Sequence, residues 1–188
     1  MLAQIPPILA DDSQLISARI IEVMGIYQKA DRWASKTDFD KKKYSDLLFN
    51  YAGFLCDYGM YYDAEVVFLR QLPLVKELYG EDHPSTAASY NNIGSVYHSQ
   101  GDYPKALGYY SKALAIIEKV LGLEHPDTAR SYNNIGSVYY SQGDYPKALE
   151  YYSKALAIIE NKLGKGHPNT QTVWNNIEII KSKMDSQD

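Results

Sequence analysis

HPSTAASYNNIGSVYHSQGDYPKALGYYSKALAIIEKVLGLE (residues 83 to 124) is followed without a gap by HPDTARSYNNIGSVYYSQGDYPKALEYYSKALAIIENKLGKG (residues 125 to 166). The two stretches are each 42 residues long and agree at 34 positions. Self-similarity at a fixed period of about 20 to 50 residues marks a repeat array, in which each unit buries its apolar face only by stacking on the next. Sliding the period back from His83 to Lys41 gives a diverged copy. Asn50, Gly59, Tyr61, Ala64, Leu72 and Gly80 stand where Asn92, Gly101, Tyr103, Ala106, Leu114 and Gly122 stand one period later. A fourth copy opens at His167-Pro168 and has room for one helix only.

Within each full copy the punctuation is helical. Pro84 and Pro126 suit the first turn of a helix, where a missing N–H is not needed. Gly101 and Gly143 are placed to take the left-handed conformation after a helix end. Asp102 and Asp144 then stand where they cap a second helix, which runs to about Leu121 or Leu163 before Gly122 or Gly164. The unit is helix, tight turn, longer helix. Pro73 falls inside the second helix of the diverged copy and is expected to kink or split it.

Upstream, residues 1 to 11 read as a loose arm because Pro6 and Pro7 impose an extended course. Asp12 or Ser13 then caps a helix to about Ala30, with Leu15, Ile16, Arg19, Ile20, Val23, Met24 and Tyr27 at helical spacing, and residues 31 to 41 read as a connection. The domain reading is 1–40 for arm, covering helix and connection, 41–82, 83–124 and 125–166 for three repeats, and 167–188 for a terminal helix and tail. In that terminal copy Glu178 and Lys181 replace Gly94 and Tyr97. Trp174, Ile177 and Ile180 stay apolar toward the preceding repeat. This is the polarity of a solubilising end cap, after which KSKMDSQD is expected to fray.

The 188-residue chain, with 45% apolar and 22% charged residues, has an ordinary globular composition. A net charge of −4 argues against a nucleic-acid face. Cys56 is the single cysteine, so no intrachain disulfide is possible and a reducing compartment fits. No run reaches the roughly 18 apolar residues of a membrane-spanning helix, and MLAQIPPILADD lacks the basic start of a secretory signal. A cytoplasmic location is expected.

The residues inside the unit resemble the tetratricopeptide repeat. Counting Ala87 as the first motif position, the resemblance lies at Tyr90, Ile93, Gly94, Tyr97, Gly101, Tyr103, Ala106, Tyr110 and Ala113. The next copy repeats it at Tyr132, Ile135, Gly136, Tyr139, Gly143, Tyr145, Ala148, Tyr152 and Ala155. The 42-residue period, the His-Pro start and the Asn-Asn pair are similar to the kinesin light chain type of that repeat. The resemblance implies an all-α fold, a right-handed superhelix of antiparallel helix pairs, and is nearly silent on function. Independently, Gly94 and Ala106 are expected to be small because paired helices approach closely there, with Tyr97 and Tyr110 filling the space between repeats.

Little in the sequence points to chemistry. His83, His125 and His167 recur one repeat apart, too far to share a coordination sphere of about 2.1 Å radius, and read as helix-start residues. Cys56 has no histidine at nucleophile or ligand spacing and reads as a small buried or semi-buried thiol. No phosphate loop, serine elbow or zinc-binding helix appears, and the carboxylate pairs Asp11-Asp12 and Glu81-Asp82 lie at an arm or helix boundary. The expectation is no enzyme, no cofactor and no metal.

At 100° per residue, the motif's positions 2, 6, 9 and 13 lie opposite the core face of the first helix. In tetratricopeptide arrays that face lines the concave groove. Here it carries Asp46, Asn50, Gly53 and Asp57; Ala88, Asn92, Ser95 and Ser99; Arg130, Asn134, Ser137 and Ser141; and Thr172, Asn176, Ile179 and Lys183. The recurring asparagines, Asn50, Asn92, Asn134 and Asn176, each offer a donor and an acceptor and can read the backbone of an extended chain. They can equally brace one repeat against the next. Flanking positions hold Asn91 and Asn133 on one side and His98 and Tyr140 on the other. The last two differ between the twin copies, and either individualise pockets or are drift. The expected function is a module that binds an extended peptide. The alternatives are a structural or self-associating element, or a sensor fragment of a larger signalling protein.

Overall fold

The computed structural model describes residues 13–34 and 40–186, with side chains from Ile20 onward. The predicted arm, the Asp12 cap and the last two residues lie outside the described residues. Eight helices and no strand are found among the described residues: α1 Ser13–Ala34, α2 Lys41–Asp57, α3 Tyr61–Tyr79, α4 Pro84–Gln100, α5 Tyr103–Leu121, α6 Pro126–Gln142, α7 Tyr145–Leu163 and α8 Pro168–Asp185. Each packs on its chain neighbours, within the pairs α2/α3, α4/α5 and α6/α7 and between them. The architecture is an all-α tetratricopeptide-like solenoid.

The recurring punctuation has recurring geometry. His83, His125 and His167 are N-caps whose Nδ1 accepts the backbone N–H of Ser85, Asp127 and Asn169 at 3.1, 3.1 and 3.2 Å. Each is followed by a proline at the start of its helix. Gly101 and Gly143 close α4 and α6 at φ 80 and 77°, a conformation that costs other residues a Cβ clash. Asp102 and Asp144 cap α5 and α7 through the N–H groups of Lys105 and Lys147.

Close approach explains the small residues. A Cβ on Gly94 would lie 2.8 Å from Tyr110 Cδ1, and one on Gly136 would lie 3.0 Å from Tyr152 Cδ1. Ala64, Ala106 and Ala148 are fully buried at the start of the second helices. Tyr110 covers the glycine of its own repeat and also lies in one buried cluster with Ile135 and Val138 of the next. Tyr97 bridges repeats: its hydroxyl donates to Glu65 of the preceding helix at 2.8 Å. Gln100 donates to the other oxygen of the same carboxylate, also at 2.8 Å. At the next joint a different pair makes a like bond: Tyr132, the counterpart of Tyr90, donates to Glu118 of the preceding helix at 2.7 Å. Burial, then the neighbouring Glu118, pushes its phenol up to about 12.

Four details depart from the sequence reading. α1 continues past Ala30 to Ala34, because Asp31 accepts from both guanidinium nitrogens of Arg70, at 2.8 and 2.9 Å, and from the Tyr44 hydroxyl at 2.7 Å. Burial raises the Asp31 pKa, but the Arg70 and Tyr44 hydrogen bonds outweigh it and the net shift is downward. Pro73 sits in an unbroken α3. Pro73 and Leu69, whose carbonyl loses its i+4 donor, are both exposed, and on the solvent side of a helix water can take up a freed carbonyl. Trp174 is 38% exposed instead of turned inward, and Val173 takes the buried place beside Ile177 and Ile180. Helix α8 runs through Lys181–Met184 to Asp185, so most of the expected frayed tail is helical. Glu178 and Lys181 are exposed and paired at 3.0 Å.

Candidate peptide-binding groove

The first helix of each repeat turns its core positions toward the second helices and leaves the opposite face open. Along that face Asn50, Ser95, Ser99, Arg130 and Ser141 are exposed, and Asn92, Asn134, Ser137 and Asn176 are half-buried. The side chains of Asn50, Asn92, Asn134 and Asn176 make no hydrogen bond to other described residues. The serines divide. Ser137 donates to the Asn133 carbonyl at 3.0 Å and lies 2.9 Å from the Tyr152 hydroxyl. Ser95 is the counterpart of Ser137 and stands beside the Tyr110 hydroxyl, whose pKa burial raises and the serine, to a smaller extent, lowers. Both serines stand at the tyrosine that covers the glycine. Ser141 lies 2.9 Å from His98 Nε2, a contact that joins consecutive repeats.

The flanking residues have structural partners. His98 packs against Tyr103 with ring centroids 5.9 Å apart, and Tyr140 against Tyr145 at 5.8 Å, so the two variants occupy one kind of niche. Burial pushes the His98 imidazole below its ordinary pKa. As pH falls, the unfolded chain takes up this proton before the folded one, so the stability held above about pH 6.5 is lost as pH drops toward the folded value. His98→Tyr, the residue of the twin repeat, is expected to reduce the fall in melting temperature between about pH 7.5 and about pH 5. Thermal unfolding of both chains at the two pH values checks this, and an unchanged fall assigns the acid sensitivity to other groups.

Asn91 and Asn133 differ from the rest, since their Oδ1 atoms are buried without a hydrogen-bond partner. Such an acceptor is costly unless something supplies a donor. Asn133 lines a pocket of about 320 Å³ between α6 and α8. Its apolar lining is Ala129, Ile159, Leu163 and Val173, and Asp127, Arg130, Asn169 and Thr172 supply the polar lining. Thr172 is the counterpart of Arg130 one repeat earlier, and the shorter side chain leaves the space open. Arg130 pairs with Asp127 of its own helix at 3.0 Å. Sequence reasoning found Arg130 and Asn133 but not the apolar residues of α7 beneath them. The signal available was the Arg130-to-Thr172 change between copies.

Among the described residues, no group of three or more His, Cys, Asp or Glu side chains is placed to hold a metal ion. No described helix is long and apolar enough to cross a membrane. Cys56 is half-buried, and burial followed by Asp57 pushes its thiol up, away from the thiolate needed for reactivity.

Stacked antiparallel helix pairs with one open, amide-lined face define a helical-repeat solenoid. The chain belongs to the tetratricopeptide repeat family, whose model matches residues 44–119, 87–161 and 127–188. A search of curated proteins returns no match. Among solved structures the chain is similar to BtubC (BKLC) from P. vanneervenii, with a TM-score of 0.75, 23% identity, and coverage of 94% of this chain and 71% of that one. It is similar to the apo form of RapI at TM-score 0.73 and 20% identity, covering 92% of this chain and 61% of that one. A Podosopora anserina protein of the kinesin light chain kind, with nearly identical TPR-like repeats, gives TM-score 0.68, 18% identity and 90% coverage of both chains. At these identities the likeness is one of fold.

Proposed function

We propose that this protein is a non-enzymatic interaction module that binds an extended segment of a partner protein along the open face of α2, α4, α6 and α8. The observation that carries this reading is the row Asn50, Asn92, Asn134 and Asn176, whose amides have no partner among the described residues. Bracing between repeats would require such partners. The row can take up backbone N–H and C=O groups without selecting side chains. One apolar side chain of the bound segment then fills the pocket between α6 and α8.

The face is polar along its length, from the exposed Asp46 and Asp57 near α2 to Arg130 and Lys183 near α8. A basic or polar part of the ligand lies toward α2 and an acidic part toward Arg130, with an internal segment favoured over a free C-terminus. Exposed charge pairs contribute about 0 to 1 kcal/mol each, so charge sets orientation and backbone contacts supply most of the affinity. Arg130→Glu is expected to weaken an acidic peptide up to about tenfold at low salt and less at moderate salt. Calorimetric titration at both salts checks this, and equal affinity at both removes Arg130 from the site. A pull-down comparing the intact chain with Asn92→Ala/Asn134→Ala tests the row itself. Recovery of the same partners in equal amount by both chains overturns the reading.

A further inference from the structure

The pocket between α6 and α8 has a counterpart at the other end of the array. A cavity of about 350 Å³ opens between α1 and α2, walled by Ala30, Trp33 and Ala34 on one side and by Lys43, Asp46 and Leu47 on the other. Trp33, Lys43, Asp46 and Leu47 each stand three 42-residue periods before Ile159, Asn169, Thr172 and Val173, and all four of the latter line the pocket between α6 and α8. Helix α1 thus stands to α2 as α7 stands to α8. The two cavities are one kind of joint, met at the first and the last step among the described helices.

Both joints open on the same row. Asn50, the first asparagine of the open face, lines the α1/α2 cavity, and Asn133, beside Asn134, lines the other. Where period-related residues differ, the chemistry differs. Ile159 is 6% exposed and forms part of an aliphatic floor, whereas Trp33 in its place is 59% exposed and presents an indole ring. Lys43 and Asp46 stand at the α1/α2 cavity together, so its mouth favours neither sign of charge. A neutral aromatic side chain, packed offset or edge-on against the indole, suits this wall.

The number of repeats sets the distance between the two cavities. His98 of α4 meets Ser141 of α6 at 2.9 Å, so the first helices of successive repeats are direct neighbours along the groove. Packed helices stand about 8 to 10 Å apart, and three such steps span roughly 27 Å. An extended chain advances about 3.3 Å per residue, which sets side chains entering the two cavities about eight residues apart. Alternate side chains of an extended chain point to opposite faces, so an even separation turns both toward the groove.

We propose that the α1/α2 cavity is a second anchor site of the groove. It takes an aromatic side chain of the bound segment against Trp33, while an aliphatic side chain about eight residues away fills the pocket between α6 and α8. This second anchor rests on the groove reading of the protein and adds to it the pattern that the partner segment carries.

The test selects peptides from a random 16-residue phage library on the full chain and measures their affinities by fluorescence polarisation. Peptides that lose affinity with Asn92→Ala/Asn134→Ala are expected to carry an aromatic and an aliphatic residue about eight apart. They should weaken about tenfold with Trp33→Ala, and likewise with Thr172→Arg, which gives the last joint the longer side chain of the preceding repeat. With Trp174→Phe, Trp33 is the single tryptophan of the chain, and a bound peptide lacking tryptophan should shift its emission to shorter wavelength. Groove-bound peptides that show no fixed spacing, ignore Trp33→Ala, or leave that emission unchanged overturn the second anchor while the groove reading stands. Peptides indifferent to the asparagine pair, or no selected peptide at all, overturn the groove reading itself and the second anchor with it.

Discussion

Gly94→Leu lowers the melting temperature by roughly 10 °C, because the new side chain enters the space held by the Tyr110 ring. The first added carbon alone would lie 2.8 Å from Cδ1 and 2.9 Å from Cε1 of that ring. Tyr110 is 3% exposed, so the ring has nowhere to turn. Overpacking of this kind costs about 3 kcal/mol, and a chain of this size loses roughly 3 °C per kcal/mol. The control is Gly108→Ala in α5, where an added Cβ meets nothing within 4 Å. That change gains about 0.5 to 1 kcal/mol from helix propensity. Two glycines in the same repeat are thus expected to respond with opposite signs in a thermal or urea unfolding series. If both variants gain stability, the close approach of α4 and α5 is not what requires glycine at 94.

Ile180→Asp detaches α8. Ile180 is fully buried, in one apolar cluster with Ile158, Ile159, Val173 and Ile177. Burying a carboxylate there would cost about 4 kcal/mol or more, so the chain gives up the docking of the last helix instead. The joint is already less complete than the others. Thr86 and Thr128 donate to the carbonyls of Gly80 and Gly122 at 2.7 Å, whereas the buried Thr170 hydroxyl has no partner. Repeat arrays open unit by unit, so hydrogen exchange in α8 should approach that of an unfolded segment while α4 and α5 stay protected. Because Asn169, Thr172 and Val173 form one wall of the pocket beside Asn133, the same variant is expected to lose most of its affinity for any segment anchored there. Uniform exchange across all helices would show instead that the array unfolds as one unit.

The helix pairs, their caps and the need for a small residue at Gly94 could be read before any coordinates because the motif recurs from repeat to repeat; that Tyr110 is what covers Gly94 could not. A histidine before a proline and an aspartate after a glycine each carry their local physics with them. The repeat also told that these asparagines, Asn50, Asn92, Asn134 and Asn176, lie off the buried face: the first is exposed and the other three are half-buried. What the period could not show is where residues from three helices meet. The pocket between α6 and α8 exists because α7 supplies an apolar floor and Thr172 is shorter than Arg130. Neither fact is local to Asn133.

Tertiary contacts also overrode local expectation. Propensity ends α1 near Ala30, but the Asp31, Arg70 and Tyr44 network, between residues up to 39 positions apart, carries it to Ala34. Pro73 argues for a break, yet its position on the solvent side of α3 makes the lost hydrogen bond cheap. Trp174, the bulkiest apolar residue of α8, was expected inward and lies part-exposed, because Val173 beside it takes the place against the preceding repeat. The sequence by itself determined the repeating unit, since every unit buries the same few residues against its own partner. The ends and the joints were decided by the tertiary structure, because there each helix meets a neighbour that the repeat does not encode.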